Sequence, residues 1–263
     1  RQLIDGTTTA DKADGYIIMV AAIGYLVAAF FASLLKRKEI GPLDHEIKNA
    51  SFTQGLIEMR EGVRFLRAHM DAARGIGAIA IHRGGITAFT LTALLLERNT
   101  FNDPADPDAG LRGFAYALAI AGIGIGLGAL AGPYGVARFG RHVWMRISML
   151  APIGFLIVFG ILPNEFMLIT TAFFVGGFGQ SLKITNDALV QSKIRDEFRG
   201  RIFAFYDVAV NGAIVSGAMI AALTLPPTGV SLVLPWSIAV AYTAAALVLL
   251  RKSKFSADSS STN

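Results

Sequence analysis

The chain has 263 residues, of which 53% are hydrophobic and only 16% are charged, and its mean hydropathy is +0.53. Soluble domains carry about 25% charged residues, so this composition belongs to a membrane protein. The absence of cysteine excludes disulfides, thiolate metal sites and thiol catalysis, and the net charge of +5 would point to nucleic acid only if it formed a soluble patch.

Residues 1–14 are polar and mixed in charge, begin with Arg1 rather than Met and carry no signal-peptide pattern. They read as an extracellular segment of a chain that is processed or a fragment. A helix of about 20 apolar residues crosses a bilayer, and seven stretches come near that length: 15–35, 75–96, 114–132, 143–162, 166–186, 202–225 and 232–250. Between the first two lies a polar connector, 36–74, in which Ile57, Val63, Phe65 and Leu66 alternate with Glu58, Arg60, Glu61, Arg64 and Arg67. That pattern predicts an amphipathic helix with a basic face at the membrane interface. Pro163-Asn164 and Pro226-Pro227 stop two of the spans, and the Ser-rich segment 251–263 reads as a disordered tail.

The expected fold is therefore an all-α membrane protein with seven transmembrane helices. Nineteen of the 24 Lys and Arg residues fall in segments 36–74, 138–146, 183–201 and 251–254, on one side of that topology, and four fall on the other. By the positive-inside rule the basic side is cytoplasmic, which puts the chain in the plasma (inner) membrane with its N-terminus outside and its C-terminus inside. The same distribution disposes of nucleic acid, because topology and contact with anionic membrane lipids account for the charge.

Polar residues inside the spans are the candidate functional groups. Arg83 lies eight residues into the second span, roughly 12 Å along it. Thr87 and Thr90 extend a stripe from it and Glu97 continues it; beside it, His82 is either a proton-titrating group or a packing histidine. The third span carries Gly122, Gly124, Gly126, Gly128 and Gly132, whose small-xxx-small spacing predicts close helix packing rather than a nucleotide loop. Gln180, Lys183 and Asp187 share one face of the fifth span, with Arg199 and Arg201 as expected partners of Asp187. Asp207, two turns inside the sixth span with Asn211 at i+4, needs either a salt bridge to Arg83, Lys183 or Arg201 or a proton. The histidines His45, His69, His82 and His142 are scattered, no hydrolase, metalloprotease or Walker pattern occurs, and no enzyme, metal or cofactor is expected.

The segment from Val190 to Phe203, with Asp196-Glu197-Phe198-Arg199-Gly200-Arg201-Ile202-Phe203, resembles the loop between helices ten and eleven of efflux-type transporters of the major facilitator superfamily, although Arg195 stands where that pattern has Pro. Glu61-Gly62-Val63-Arg64-Phe65-Leu66-Arg67 is similar to the end of that family's central cytoplasmic loop. Arg138-Phe139-Gly140-Arg141-His142 resembles the C-terminal copy of its Gly-x-x-x-Asp-Arg-x-Gly-Arg-Arg loop, with Ala137 at the acidic position.

The resemblance implies helices six to twelve of a twelve-helix fold: a six-helix half over 75–250 preceded by one extra helix, 15–35. It implies a partner in the missing N-terminal half, on the same polypeptide or a separate chain, against which the glycine stripe packs. Arg83, Thr87, Thr90, Gln180 and Lys183 become substrate-cavity residues. Asp187, Arg199, Gly200, Arg201, Arg138, Gly140 and Arg141 form a cytoplasmic gate, and Asp207, Glu97 or His82 serves proton coupling or charge pairing. The function implied is proton-coupled export of a small amphipathic molecule by alternating access. Its rivals are a complete seven-helix receptor or sensor and a non-transporting scaffold subunit.

Overall fold

In the computed structural model the described residues are Met19, 21–34, Ile57, Arg60, Arg64, Leu66, Arg67, 70–193 and 196–250, with the backbone alone at 193, 196–199 and 201. They fall into two units, Arg1–Leu56 and Ile57–Asn263. In the first unit, helix α1 (Ala21–Leu34) carries the described part of the first span. Its Tyr25, Leu26, Phe30 and Phe31 side chains are exposed, as suits a helix whose solvent is lipid. The Lys36–Lys38 run and the 251–263 tail lie outside the described residues.

The second unit is an α-helical bundle with no strand among the described residues. Ile57, Arg60, Arg64, Leu66 and Arg67 are helical. Arg60, Arg64 and Arg67 recur at helical spacing and are exposed, while Leu66 is turned into the core; the rest of the expected connector before Met70 lies outside the described residues. Seven helices follow: α2 (Met70–Leu96), α3 (Pro107–Phe139), α4 (Arg141–Leu150), α5 (Ile153–Ile161), α6 (Glu165–Lys193), α7 (Asp196–Thr224) and α8 (Val233–Ala244). The last turns of α2 and α8 continue as π-helix over Glu97–Phe101 and Ala245–Leu249. Five segments are long and apolar enough to cross a membrane, and α4 with α5 make one of them together. The protein is an all-α membrane protein.

Local chemistry sets the boundaries. The loop 102–108 closes because Asp103 accepts from the Ala105 amide at 2.9 Å, and Asp106 caps α3 by accepting from the Ala109 amide at 3.1 Å, with Pro107 at the first helical position. Gly140 ends α3 at φ 79°, a conformation open to glycine. Pro152 divides the expected fourth span into α4 and α5 because it has no amide to bond the preceding turn.

Two expectations change here. The Arg199–Arg201 segment lies inside α7 rather than in a loop. Residues 196–202 are all helical. α2 is already helical at Met70, five residues before the expected span, so at least about 20 Å of helix precede Arg83.

Coverage differs sharply between helices. Of the most apolar stretch, 44% is buried in α6, but only 17% in α3 and 11% in α7. Leu130, Tyr134, Val208, Val215 and Leu223 stand out from α3 and α7 at 66–78% exposure, which water would not tolerate as a continuous surface and a bilayer does.

A polar face shared by α2, α6 and α7

Helix register determines where the candidate residues point. On α2, His82 faces α6, its Nε2 lying 3.2 Å from the Val175 carbonyl oxygen. Gly84 faces α7, where an added Cβ would come within 2.9 Å of the Ala213 carbonyl oxygen. Arg83 lies 100° from each and opens onto the gap between α6 and α7. Thr87 and Thr90 follow on the same stripe. Their hydroxyls donate to the Arg83 and Ile86 carbonyls, each at 2.8 Å, so each is satisfied within the helix.

α6 is laid out the same way. Val175, Gly179 and Asn186 face α2, and Phe173, Gly177 and Ser181 face α3. Gln180, Lys183 and Asp187 fall between these two contact faces, half-buried. Lys183 Nζ donates to Asp187 Oδ2 at 2.5 Å, and the Tyr206 hydroxyl of α7 donates to Asp187 Oδ1 at 2.9 Å. Asp187 is thus held by its own helix and by α7. The side chains of Arg199 and Arg201, its expected partners, lie outside the described residues.

Asp207 pairs with neither Arg83 nor Lys183. It is exposed, and Asn211 donates to its backbone carbonyl at 2.8 Å rather than to its carboxylate. The reason is register: Tyr206 takes the inward position, and Asp207 lies 100° further round the helix. On the opposite flank of α7, Ser216 and Ile220 line an apolar groove of about 470 Å³ with α2 and α8. Asp207 and Asn211 therefore lie on the flank that adjoins the Arg83 and Lys183 stripes. That groove holds none of the five expected cavity residues, nor does the depression of about 210 Å³ lined by Trp144, Phe173 and Phe178. Those five are half-buried along one polar face.

His82 is 2% exposed, stacks on Tyr242 at 5.0 Å between centroids, and receives the Tyr242 hydroxyl on its carbonyl at 3.0 Å. It ties α2 to α6 and α8, and its ring fills the space that a side chain at Gly179 would need. Glu97 does not continue the Arg83 stripe. It is fully buried against Gly110 and Gly113 of α3, whose lack of side chains lets that helix close over it. Asn102 Nδ2 donates to Glu97 Oε2 at 3.0 Å, and Oε1 has no partner among the described residues.

The gate residues at the α3–α4 corner are placed less uniformly. Arg138 is exposed, with its guanidinium 5.8 Å from the Phe139 ring centre. Arg141 donates to Ser192 Oγ near the end of α6 at 3.1 Å, so this corner is fastened to α6 through a hydroxyl. An added Cβ at Gly200 meets nothing within 4 Å among the described residues.

The glycine stripe divides in two. Gly124 and Gly128 meet the Phe173 and Gly177 backbone of α6 so closely that a Cβ at either would overlap it, and Gly132 approaches Ser181. Gly122 and Gly126 face open space. The close packing expected of the stripe occurs within this chain, against α6; only Gly122 and Gly126 remain for another surface.

Sequence reading passed over Tyr206 and Asn186. A tyrosine on the inner face of a span needs a partner for its hydroxyl, and that signal was available one residue from Asp207. Asn186 is fully buried beside Gly75 with neither side-chain atom partnered among the described residues, which no spacing rule reveals.

Two curated proteins resemble the chain. An uncharacterized MFS-type transporter of Mycobacterium bovis is 24% identical over 223 residues, covering 84% of this chain and 50% of its own length. An uncharacterized MFS-type transporter of Mycobacterium tuberculosis matches with the same identity and coverage. The chain thus spans about half the length of the curated relatives it matches. No family model matches the chain, and no solved structure does.

Proposed function

We propose that the chain belongs to the major facilitator superfamily, which its distant similarity to two curated MFS-type transporters supports, and that it forms helices six to twelve of a secondary transporter. In this reading α1 is helix six, α2 is helix seven, α6 is helix ten and α7 is helix eleven. The N-terminal half covers the face of α2, α6 and α7, and the substrate passes between the halves by alternating access.

One observation carries the reading. Three helices of a membrane protein turn their polar side chains to the same side, and that side includes an exposed carboxylate at Asp207 on the least covered span. Charged groups at such depth face protein or a water-filled path, because lipid does not solvate them. The matched relatives are about twice as long as the stretch they share with this chain, which leaves room for such a covering half. A complete seven-helix receptor would have to close its ligand pocket within this chain, and a polar face that includes the exposed Asp207 argues against that.

The transport proposed is proton-driven export of a small amphipathic compound, with Asp207 or Glu97 carrying the coupling. The test is efflux of two fluorescent amphipathic probes, the cation ethidium and the anion 8-anilinonaphthalene-1-sulfonate, from proteoliposomes holding the full-length protein, with and without a pH gradient. Gradient-dependent efflux, reduced at least tenfold in Asp207→Asn or Glu97→Gln, is the expected result. Efflux indifferent to the gradient, or intact coupling in both amide variants, overturns it.

A further inference from the structure

We infer that the substrate presents an oxyanion, a carboxylate, phosphate or sulfonate, and that Arg83 is the residue that receives it. The inference rests on the transporter reading and adds the chemical class of its cargo.

The polar face holds two cations, Arg83 and Lys183. Lys183 is committed to Asp187, whose other oxygen takes the Tyr206 hydroxyl. Arg83 has no acidic partner and no side-chain hydrogen bond among the described residues. No other carboxylate of the spans pairs with it among the described residues. Glu97 is buried under α3, 14 residues or about 21 Å further along the helix, and Asp207, on the adjoining flank of α7, forms no ion pair with it. A guanidinium held mid-span without a counter-ion is costly, and a counter-ion that arrives with the cargo relieves that cost. The planar fork of Arg suits two oxygens of one anionic group, which a neutral or cationic molecule cannot satisfy. The Thr87 hydroxyl is spent on the Arg83 carbonyl, so the fork itself does the recognising.

The absence of cysteine from the 263 residues makes this testable without knowing the substrate. Gln180 follows Gly179, the glycine packed against the His82 ring, and so lies across the gap from Arg83. Gln180→Cys is prepared in the full-length protein, with any cysteine outside these residues replaced. It is labelled in proteoliposomes with anionic 2-sulfonatoethyl or cationic 2-trimethylammonioethyl methanethiosulfonate, each rate being divided by that reagent's rate with a small free thiol. Thr87→Cys, one turn from Arg83 on the same stripe, repeats the measurement in case the first variant misfolds.

The expected result is a normalised preference for the anionic reagent of about tenfold, as one unit charge at close range in a partly screened site supplies, and its loss when Arg83→Gln is added. Equal or cationic preference, or a preference that survives Arg83→Gln, overturns the inference while leaving the transporter reading intact. No labelling by either reagent at either position overturns both, because the face is then not an aqueous path.

Discussion

On one side of α6, Phe173 and Gly177 present bare backbone to Gly124 and Gly128 of α3, with Ser181 beside Gly132. On the adjoining side, Gln180, Lys183 and Asp187 share a polar face with Arg83 and Tyr206. The first contact leaves no room for a methyl group and contains no charge. The second holds an ion pair, an arginine with no acidic partner among the described residues, and one hydroxyl tie across it. Backbone packed on backbone in lipid has few alternative arrangements, whereas a face held by a tyrosine hydroxyl can part at modest cost. One helix therefore carries both a fixed seam and a face suited to change.

The largest effect that would test this contrast comes from adding a methyl to the seam. Gly128→Ala places a Cβ against the Gly177 carbonyl and should destabilise the protein by about 3 kcal/mol, at the upper end for overpacking. Gly126→Ala, two residues away with nothing near its Cβ, should instead be neutral or stabilise by up to about 1 kcal/mol through helix propensity. Thermal unfolding in detergent measures both, and equal effects would mean that α3 and α6 do not meet as described. Next in size is His82→Ala. Removing the ring loses its contact with Tyr242 and its bond to Val175, and should cost about 2 kcal/mol. Unchanged melting with lost pH-driven transport would move His82 from the fixed part of the molecule to its chemistry.

Much of this was legible in the residues. Apolar run length gave the helices of the bundle, small-residue spacing gave the Gly124–Gly128–Gly132 seam, and i, i+3, i+7 spacing put Gln180, Lys183 and Asp187 on one face. What escaped was set by single-residue register and by distant packing. Asp207 had the attributes of the buried partner, yet Tyr206 holds the inward position, and a shift of one residue is 100° on a helix. Glu97 extended the Arg83 stripe in sequence, yet α3 folds over it because Gly110 and Gly113 permit that approach. The helical course of 196–201 was hidden because a charged run that contains glycine looks like a loop by composition.

The smallest stability effect is expected on the polar face itself. Tyr206→Phe removes only the hydroxyl that donates to Asp187, leaving the ring in its buried seat and Lys183 still paired with the carboxylate. A hydrogen bond to a charged group is worth about 1.5 kcal/mol at the lower end of its range, which applies with Lys183 still neutralising the carboxylate, so unfolding should shift less than in Gly128→Ala. Transport should respond more than stability does, because the lost bond is the tie between α6 and α7 that an alternating cycle would break and remake. Substrate flux in the full-length protein, measured beside its melting temperature, separates the two quantities. If Tyr206→Phe lowered stability as much as Gly128→Ala and left flux untouched, the polar face would be a second structural seam, and the two sides of α6 would differ in chemistry but not in role.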